Sequence, residues 1–209
     1  MYFTRFNVSN IGKISCSCGS CSLSLNDTSP KYSVLCACED CRQALCWASK
    51  NGANTPKNIL YSVYFRSDFS GFTGIDKMIA IQLRDDANST RVFCKNCFSC
   101  IAIDHVNYQN NVFMIQPDYS DQNFKTECPP KAVINLIDYP GDIATLESDE
   151  IPIFHTTRYT QERKRFLSIY PISEFLAPPK SPAIGLTIRE IISKMNDIDI
   201  LNLPKDANP

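Results

Sequence analysis

The sequence predicts an all-β fold, an antiparallel sandwich or open barrel, with a C-terminal extension that contains one helix. Short β-rich runs follow one another from about residue 10 to 155, and turn signals such as Asn51-Gly52 and Ser70-Gly71 separate them. Few helical patterns interrupt these runs, which is typical of small sandwiches and barrels. After residue 156, prolines accumulate and one helical pattern appears. We therefore expect one domain over 10–155 and a C-terminal arm over 156–209.

Seven runs in the first part of the chain have the composition of strands. They cover 31–35, 59–66, 78–84, 90–94, 100–106, 111–116 and 131–137. In the arm, Thr187 and Glu190 have the spacing of a capping box. Apolar residues recur at helical spacing around this box, at Ile184, Ile188, Ile191, Ile192 and Met195. The helix is expected to pack on the domain or on a partner chain, so a homo-oligomer through the arm is a further expectation.

Composition and charge exclude several classes of protein. The chain has 209 residues, of which 44% are hydrophobic, so it can bury a substantial core. The net charge is -1, whereas generic nucleic-acid-binding proteins carry a basic excess, so no nucleic-acid partner is expected. No apolar run has the length of a membrane span, so no membrane partner is expected either. The charged run at 158–165 is typical of a solvated face.

Three cysteine clusters are the feature that points to function. They read Cys16-Ser-Cys18-Gly-Ser-Cys21, Cys36-Ala-Cys38-Glu-Asp-Cys41 with Cys46 close behind, and Cys94-Lys-Asn-Cys97-Phe-Ser-Cys100. Residues i and i+2 of a strand point to the same side, and a CxxC turn also brings two sulfurs together. Pairs of these elements build tetrahedral zinc sites. Spacing alone allows several partitions of the thiols between metal ions.

Disulfides and an iron–sulfur cluster are the alternatives to zinc. Residues 1–13 lack a basic segment followed by an apolar one, so no secretory signal is predicted. We therefore expect a reducing, cytoplasmic location, in which the thiols stay free to bind metal. The third cluster begins like a ferredoxin run, but Asp104 stands at the position of the fourth cysteine. Zinc is the metal that the sequence favours.

The order of the motifs resembles the glutathione-dependent formaldehyde-activating enzyme family, which shares its domain with centromere protein V. Three stretches carry this resemblance: Cys16-Ser-Cys18-Gly19, Cys36-Ala-Cys38-Glu-Asp-Cys41-Arg42 and Arg91-Val-Phe-Cys94-Lys-Asn-Cys97. The segment 68–74 and the element Ile151-Pro152-Ile153-Phe154 are weaker matches. The resemblance covers about residues 10–155 and makes this part a zinc-binding domain.

The resemblance implies a fold of the β-tent type with two zinc ions in different roles. A closed structural site would use four thiolates, from Cys16, Cys18, Cys94 and Cys97. A second, reactive zinc would have an open position and three catalytic ligands, Cys36, Cys38 and Cys41. The implied enzyme is a zinc-dependent carbon–sulfur lyase that acts on a small molecule such as the adduct of glutathione and formaldehyde.

Two other functions stay open at this point. A diverged member of the family would act on a different metabolite, which need not be a thiol. A non-catalytic zinc module would instead bind protein or chromatin, and the near-neutral charge weighs against chromatin. The two classes differ in one feature of the second site, because an enzyme needs an open metal position and a module does not.

Surplus thiols decide whether the second site is open. Cys21 and Cys100 are expected to be buried thiols near the structural metal, the alternative being an additional ligand. Cys46 is expected to be a core thiol, but as a fourth ligand it would cap the second zinc and block catalysis. Phe98 stands where the family has glycine, so its turn has either another geometry or a strained residue.

Other polar residues near the clusters are weaker candidates. Arg42 follows the third ligand, where a cation would offset the charge of three thiolates. Glu39 and Asp40 lie within the second cluster and are either acid–base groups or solvated side chains. His105 and His155 are expected to be surface or core imidazoles rather than ligands or bases.

Overall fold

The fold is built mainly from strands, as predicted. The computed structural model describes residues 12–142, 151–157, 160–170, 180–195 and 197–204. Its strands are β1 (Gly12–Ser15), β2 (Ser22–Leu25), β3 (Tyr32–Cys36), β4 (Leu60–Arg66), β5 (Phe69–Thr73), β6 (Met78–Gln82), β7 (Ser89–Cys94), β8 (Cys100–His105), β9 (Val112–Ile115), β10 (Asp121–Gln122), β11 (Val133–Ile134), β12 (Ile153–Phe154) and β13 (Ile198–Ile200). The α-helices of the described part are α1 (Glu39–Lys50), α2 (Thr160–Ile169) and α3 (Ile188–Ile192), and four short 3₁₀ helices lie in the connections. The prediction of an all-β class with a small helical extension is confirmed.

The strands form two sheets. A four-stranded sheet has the order β10-β1-β2-β5, and a nine-stranded sheet has the order β12-β11-β3-β4-β9-β8-β7-β6-β13. Neighbouring strands in the middle of the large sheet are antiparallel. Towards the ends of this sheet the strands β11, β12 and β13 pair in parallel with their neighbours. The antiparallel prediction therefore holds for the centre of the large sheet, and later parts of the chain extend it at both ends.

The large sheet has an apolar layer on each face. Along β4, Val63 and Phe65 belong to the core shared with the small sheet, whereas Tyr64 between them belongs to the other layer. This alternation follows from the two-residue period of a strand. The second layer also contains Leu45 and Ala48 of α1, so the helix covers this face of the sheet.

Helix α1 begins where the sequence pattern suggested only a tight CxxC turn. Cys38 is its N-cap residue, and Glu39 and Asp40 lie in its first turn. The positive end of the helix dipole stabilises carboxylates at these positions. Asn51 is the C-cap residue, so the Asn51-Gly52 signal marks a helix end. The helix was missed because two of the three thiols of the second cluster lie at its start.

The C-terminal arm packs back onto the domain through α3 and β13. The predicted capping box is present, with the N–H of Thr187 donating to Glu190 Oε2 at 2.7 Å. Ile188 and Ile191 are fully buried in the core between the sheets. Ile184 is 87% exposed, so its assignment to the apolar face of the helix was wrong. Its N–H donates instead to the buried carboxylate of Asp68, at 3.2 Å.

The charged run of the arm forms α2 rather than a uniformly solvated face. Residues 158–159 lie outside the described part, and the helix begins at Thr160. Residues 143–150, which precede the Ile151-Pro152-Ile153-Phe154 element, also lie outside it, whereas Ile153 and Phe154 form the edge strand β12. Among the described helices, none has the length and apolarity needed to cross a membrane.

Candidate functional site

The first thiol cluster joins two hairpin turns that are far apart in sequence. Cys16 and Cys18 lie in the turn after β1, whereas Cys94 ends β7 and Cys97 lies in the turn before β8. The four Sγ atoms lie within 4.8 Å of one another. Two of the Sγ–Sγ distances are 3.5 Å for Cys16–Cys18 and 3.7 Å for Cys18–Cys94. Zinc with bonds of about 2.3 Å to four sulfurs holds them about 3.8 Å apart, so this cluster can hold such an ion.

Both turns of this cluster direct backbone N–H groups at its sulfurs. The N–H of Cys21 donates to Cys16 Sγ at 3.3 Å, and that of Asn96 donates to Cys94 Sγ at 3.4 Å. Such donors stabilise thiolates. Phe98 has a φ of 54°, so the turn has the geometry that favours glycine and Phe98 adopts it with strain. Its ring packs edge to face on Trp47, with centroids 5.4 Å apart.

The second thiol cluster lies where β3 passes into α1. Cys36 is the last residue of β3, Cys38 is the N-cap of α1, and Cys41 lies in its first turn. Their Sγ atoms lie within 4.8 Å of one another, and no further His, Cys, Asp or Glu of the described residues joins this group. A helix N-terminus favours negative charge, so the fold places these sulfurs where thiolates are stabilised. The cluster can hold a metal ion and offers it three sulfurs.

The three thiols of the second cluster have opposed proton affinities. Hydrogen bonds from Cys36 and Cys38 lower the pKa of the Cys41 thiol well below its usual range, and the charge of Arg91 acts in the same direction. The pKa of Cys36 is raised well above the usual range, because it hydrogen-bonds to the two other sulfurs. Three thiolates this close repel one another, so all three ionise together only around a cation.

Arg91 supplies the fixed positive charge beside this cluster. It is 2% exposed, and its Nη2 donates to the backbone oxygen of Asp40 at 3.3 Å. Its Nε has no hydrogen-bond partner among the described residues. The sequence suggested Arg42 for this role, whereas Arg91 is the cation that lowers the pKa of Cys41 in the structure. Arg42 directly follows Cys41 on α1, and adjacent positions of a helix face different directions. The guanidinium of Arg42 therefore donates to the backbone oxygens of Ala37 and Asp138.

Asn135 connects the second cluster to the C-terminal arm. Its Nδ2 lies 3.8 Å from Cys36 Sγ and donates to it. Its Oδ1 accepts from the N–H of Thr157 at 3.0 Å and from the Thr157 hydroxyl at 2.9 Å. Asn135 is buried and has a φ of 59°, in the left-handed region that asparagine tolerates better than most residues. One side chain therefore orients a sulfur of the cluster and holds the start of the arm.

A cavity of about 800 Å³ opens above the second cluster. Cys36, Cys38 and Cys41 all line it, whereas none of the four thiols of the first cluster does. The other walls come from the large sheet and from α2. Besides the thiols, the ionisable side chains that line the cavity are Tyr32, Asp40, Tyr64, Arg84, Asp86, Arg91, His105, Tyr108 and Arg163, and the other polar ones are Asn88, Ser89, Asn107, Asn135 and Thr157.

Two tyrosines and one histidine of the cavity wall are neutral hydrogen-bonding groups. The hydroxyl of Tyr108 donates to that of Tyr64 at 3.4 Å, and burial raises the pKa of both phenols. Burial lowers the pKa of His105, so its imidazole is uncharged at neutral pH. The N–H of Asn107 donates to Nδ1 of His105 at 3.0 Å, which leaves the ring proton on Nε2. The expectation that His105 is merely a surface or core imidazole therefore misses its place in the cavity.

The surplus thiols lie outside both groups of sulfurs. Cys21 is fully buried beside the first cluster, and burial raises its pKa, so it is a neutral thiol as expected. Cys100 is also buried, with its pKa raised to about 12 by burial, but its electrostatic neighbours are Arg91 and Cys41. Cys100 therefore lies near the second cluster, whereas the sequence analysis expected it near the first. Cys46 is half-buried on α1 and does not belong to the cluster of Cys36.

Sequence reasoning missed most of the cavity wall. Tyr64 and Tyr108 carry no motif, and only the strand alternation of Val63-Tyr64-Phe65 indicated that Tyr64 faces away from the main core. His155 is exposed and does not line the cavity, as expected for a surface imidazole. Asp40 lines the cavity and pairs with Arg84, so it is not simply solvated.

A protein-family model matches more than half of this chain. The family model is that of the glutathione-dependent formaldehyde-activating enzyme, and it matches residues 12–136. The matched region contains both thiol clusters and ends before α2 and α3. No curated protein matches the sequence.

Proposed function

We propose that this chain, which belongs to the glutathione-dependent formaldehyde-activating enzyme family, is a zinc enzyme of the carbon–sulfur lyase type. It joins a thiol to a small aldehyde, or releases one from the other, at the cluster of Cys36, Cys38 and Cys41. One observation carries the proposal. The three-thiol cluster lines a cavity of about 800 Å³, and the four-thiol cluster does not line it. A site that binds substrate needs an open position facing a cavity, and only the second cluster offers one.

The thiol clusters suit two zinc ions in different roles. Cys16, Cys18, Cys94 and Cys97 saturate a tetrahedral ion, so they would hold a structural zinc. Zinc held by Cys36, Cys38 and Cys41 would supply a Lewis acid with one open position for the substrate sulfur. All eleven cysteines are free thiols, which ligation requires, and we propose a reducing compartment such as the cytoplasm.

The residues of the cavity support the addition of a thiol to an aldehyde. In this step a sulfur–carbon bond forms, the carbonyl π bond breaks, and the proton lost by the thiol ends on the former carbonyl oxygen. Arg91 offsets the negative charge of the cysteine sulfurs, so that another sulfur can approach them. Tyr64 and Tyr108 keep their protons at neutral pH because their pKa values are raised. Tyr108 donates its hydrogen bond to Tyr64, so the hydroxyl of Tyr64 is the one that can donate a hydrogen bond to the oxygen.

The turnover of glutathione and formaldehyde tests this proposal. The zinc-loaded protein should accelerate exchange between the two compounds and their adduct beyond the spontaneous rate, as measured by NMR exchange spectroscopy. Cys38→Ser should abolish the acceleration. Cys46→Ser, a substitution of a half-buried thiol on the same helix, should leave it unchanged.

Three outcomes separate the candidate functions. Acceleration that Cys38→Ser abolishes supports the lyase-type activity. Binding of glutathione without acceleration would support a diverged member of the family with another substrate. A protein that holds two zinc ions but neither binds thiols nor accelerates the exchange would be a non-catalytic zinc module.

A further inference from the structure

Helix α2 forms one wall of the cavity, although it lies beyond the region that the family model matches. The match ends at residue 136, and α2 begins at Thr160. Arg163, Phe166 and Leu167 line the cavity that the thiol cluster also lines. Their spacing of i, i+3 and i+4 puts them on one face of the helix. This chain therefore adds a wall of its own to the cavity of the family domain.

Aromatic contacts and one hydrogen bond fix the position of α2. Phe166 packs edge to face on Phe154, with centroids 5.1 Å apart, and Tyr170 packs in the same way on Tyr32 at 5.9 Å. The carboxylate of Glu162 accepts a hydrogen bond from the N–H of Thr156 at 2.8 Å. Aromatic pairs and buried hydrogen bonds of this kind hold an element in one orientation.

The charges of the cavity leave Arg163 as the cation with capacity for a ligand. The carboxylates that line the cavity belong to Asp40 and Asp86, and Arg84 forms ion pairs with both of them. Arg91 lies beside the thiols, with Cys41 and Cys38 as its strongest opposite charges. Arg163 forms no ion pair with any carboxylate of the described residues.

We infer that α2 recognises the substrate, with Arg163 binding an acidic group and Phe166 and Leu167 contacting an apolar part. The substrate class is then a thiol that carries a carboxylate or a phosphate away from its sulfur. This inference rests on the proposed function, since it assumes that a thiol binds at the cysteine cluster. The volume of about 800 Å³ is in the range of cavities that hold ligands much larger than formaldehyde. A guanidinium is well suited to either acidic group, because it can donate two parallel hydrogen bonds.

Two matched pairs of thiols test this inference. Glutathione and glutathione diethyl ester differ in free carboxylates, and 4′-phosphopantetheine and pantetheine differ in one phosphate. Calorimetry with the zinc-loaded protein should give at least about tenfold tighter binding for the acidic member of one pair. The pair that shows this preference identifies the acidic group as carboxylate or phosphate.

Two variants on α2 assign the preference to Arg163. Arg163→Ala should reduce the preference by about tenfold, which equals about 1.4 kcal/mol, and should leave binding of the member without the acidic group unchanged. Lys164→Ala removes the same charge from an exposed neighbour that does not line the cavity, and should keep the preference. The inference is overturned if Arg163→Ala keeps the preference, or if the protein binds all four thiols without preference. If none of the four binds, the proposed thiol function fails, and the inference fails with it for that separate reason.

Discussion

The two thiol clusters should differ in how much each stabilises the fold. Cys97→Ser and Cys38→Ser form a matched pair, because both thiols are half-buried and each belongs to one cluster. The first cluster joins sulfurs 76 positions apart, such as Cys18 and Cys94. The second spans only the five positions from Cys36 to Cys41. The chain-entropy relation for cross-links gives about 4.5 kcal/mol for the longer loop and about 2 kcal/mol for the shorter one.

Urea unfolding combined with metal analysis measures this difference. Each variant should lose about one zinc ion per chain, because a site with a missing sulfur binds zinc weakly. Cys97→Ser should lose about 2.5 kcal/mol more stability than Cys38→Ser, which is a difference of about 1 M in the urea midpoint for a slope of about 2 kcal/mol/M. Equal losses would refute the reasoning, because the second cluster would then be as much a structural clamp as the first.

Substitutions at three further residues test contacts of the thiol clusters and of the C-terminal arm. Asn135→Ala removes the donor to Cys36 Sγ and should weaken zinc binding at the second site by about 10- to 100-fold in a chelator competition, with the first site unchanged. In thermal unfolding, Phe98→Ala should destabilise the protein by about 1 kcal/mol more than Phe98→Gly. Both variants lose the contact with Trp47, but only glycine relieves the strain at a φ of 54°. Equal effects of the two substitutions would contradict the strained turn. Burial raises the pKa of Asp68, but hydrogen bonds from a neighbouring amide side chain and from the arm outweigh this, and the net pKa is lowered. The ionised Asp68 stabilises the fold above about pH 4, and this stabilisation is lost as the pH falls through the lowered pKa. Asp68→Asn should therefore reduce the free energy of unfolding at pH 7 by about 1–3 kcal/mol and make it depend less on pH in acid. An unchanged pH dependence in acid would argue against this role of Asp68.

The strands of the large sheet were largely predictable, because their local pattern agrees with their place in the fold. The run predicted at 59–66 is β4 (Leu60–Arg66), and that at 100–106 is β8 (Cys100–His105). The missed strands β1, β2, β5 and β10 form the small sheet, and β12 and β13 at the ends of the large sheet were also missed. β1 and β2 are four residues long, and β5 contains Gly71 with few buried positions. Their pairing comes from the thiol cluster and from the core between the sheets, neither of which a local pattern contains.

The candidate site was predictable only in part, for reasons that differ between residues. The structure groups the sulfurs in the two sets that the family resemblance implies, and their role as ligands stays a prediction. Arg91 was missed as the cation of the second cluster because it is 50 positions from Cys41 and only the sheet brings it near. Arg163 belongs to a charged run whose helix has one face towards the cavity. No spacing rule within such a run separates that face from the solvated one.

Zinc K-edge X-ray absorption of the protein with two bound zinc ions tests the central claim most directly. One ion with four sulfurs and one with three average about 3.5 sulfurs per zinc, and a thiol substrate in the open position should raise this average to about 4. We predict the lower value before glutathione is added and the higher value afterwards. An average of about 4 sulfurs per zinc before glutathione is added would mean that a surplus cysteine such as Cys46 or Cys100 completes the second site. An average that glutathione does not change would equally contradict an open zinc that binds the substrate sulfur.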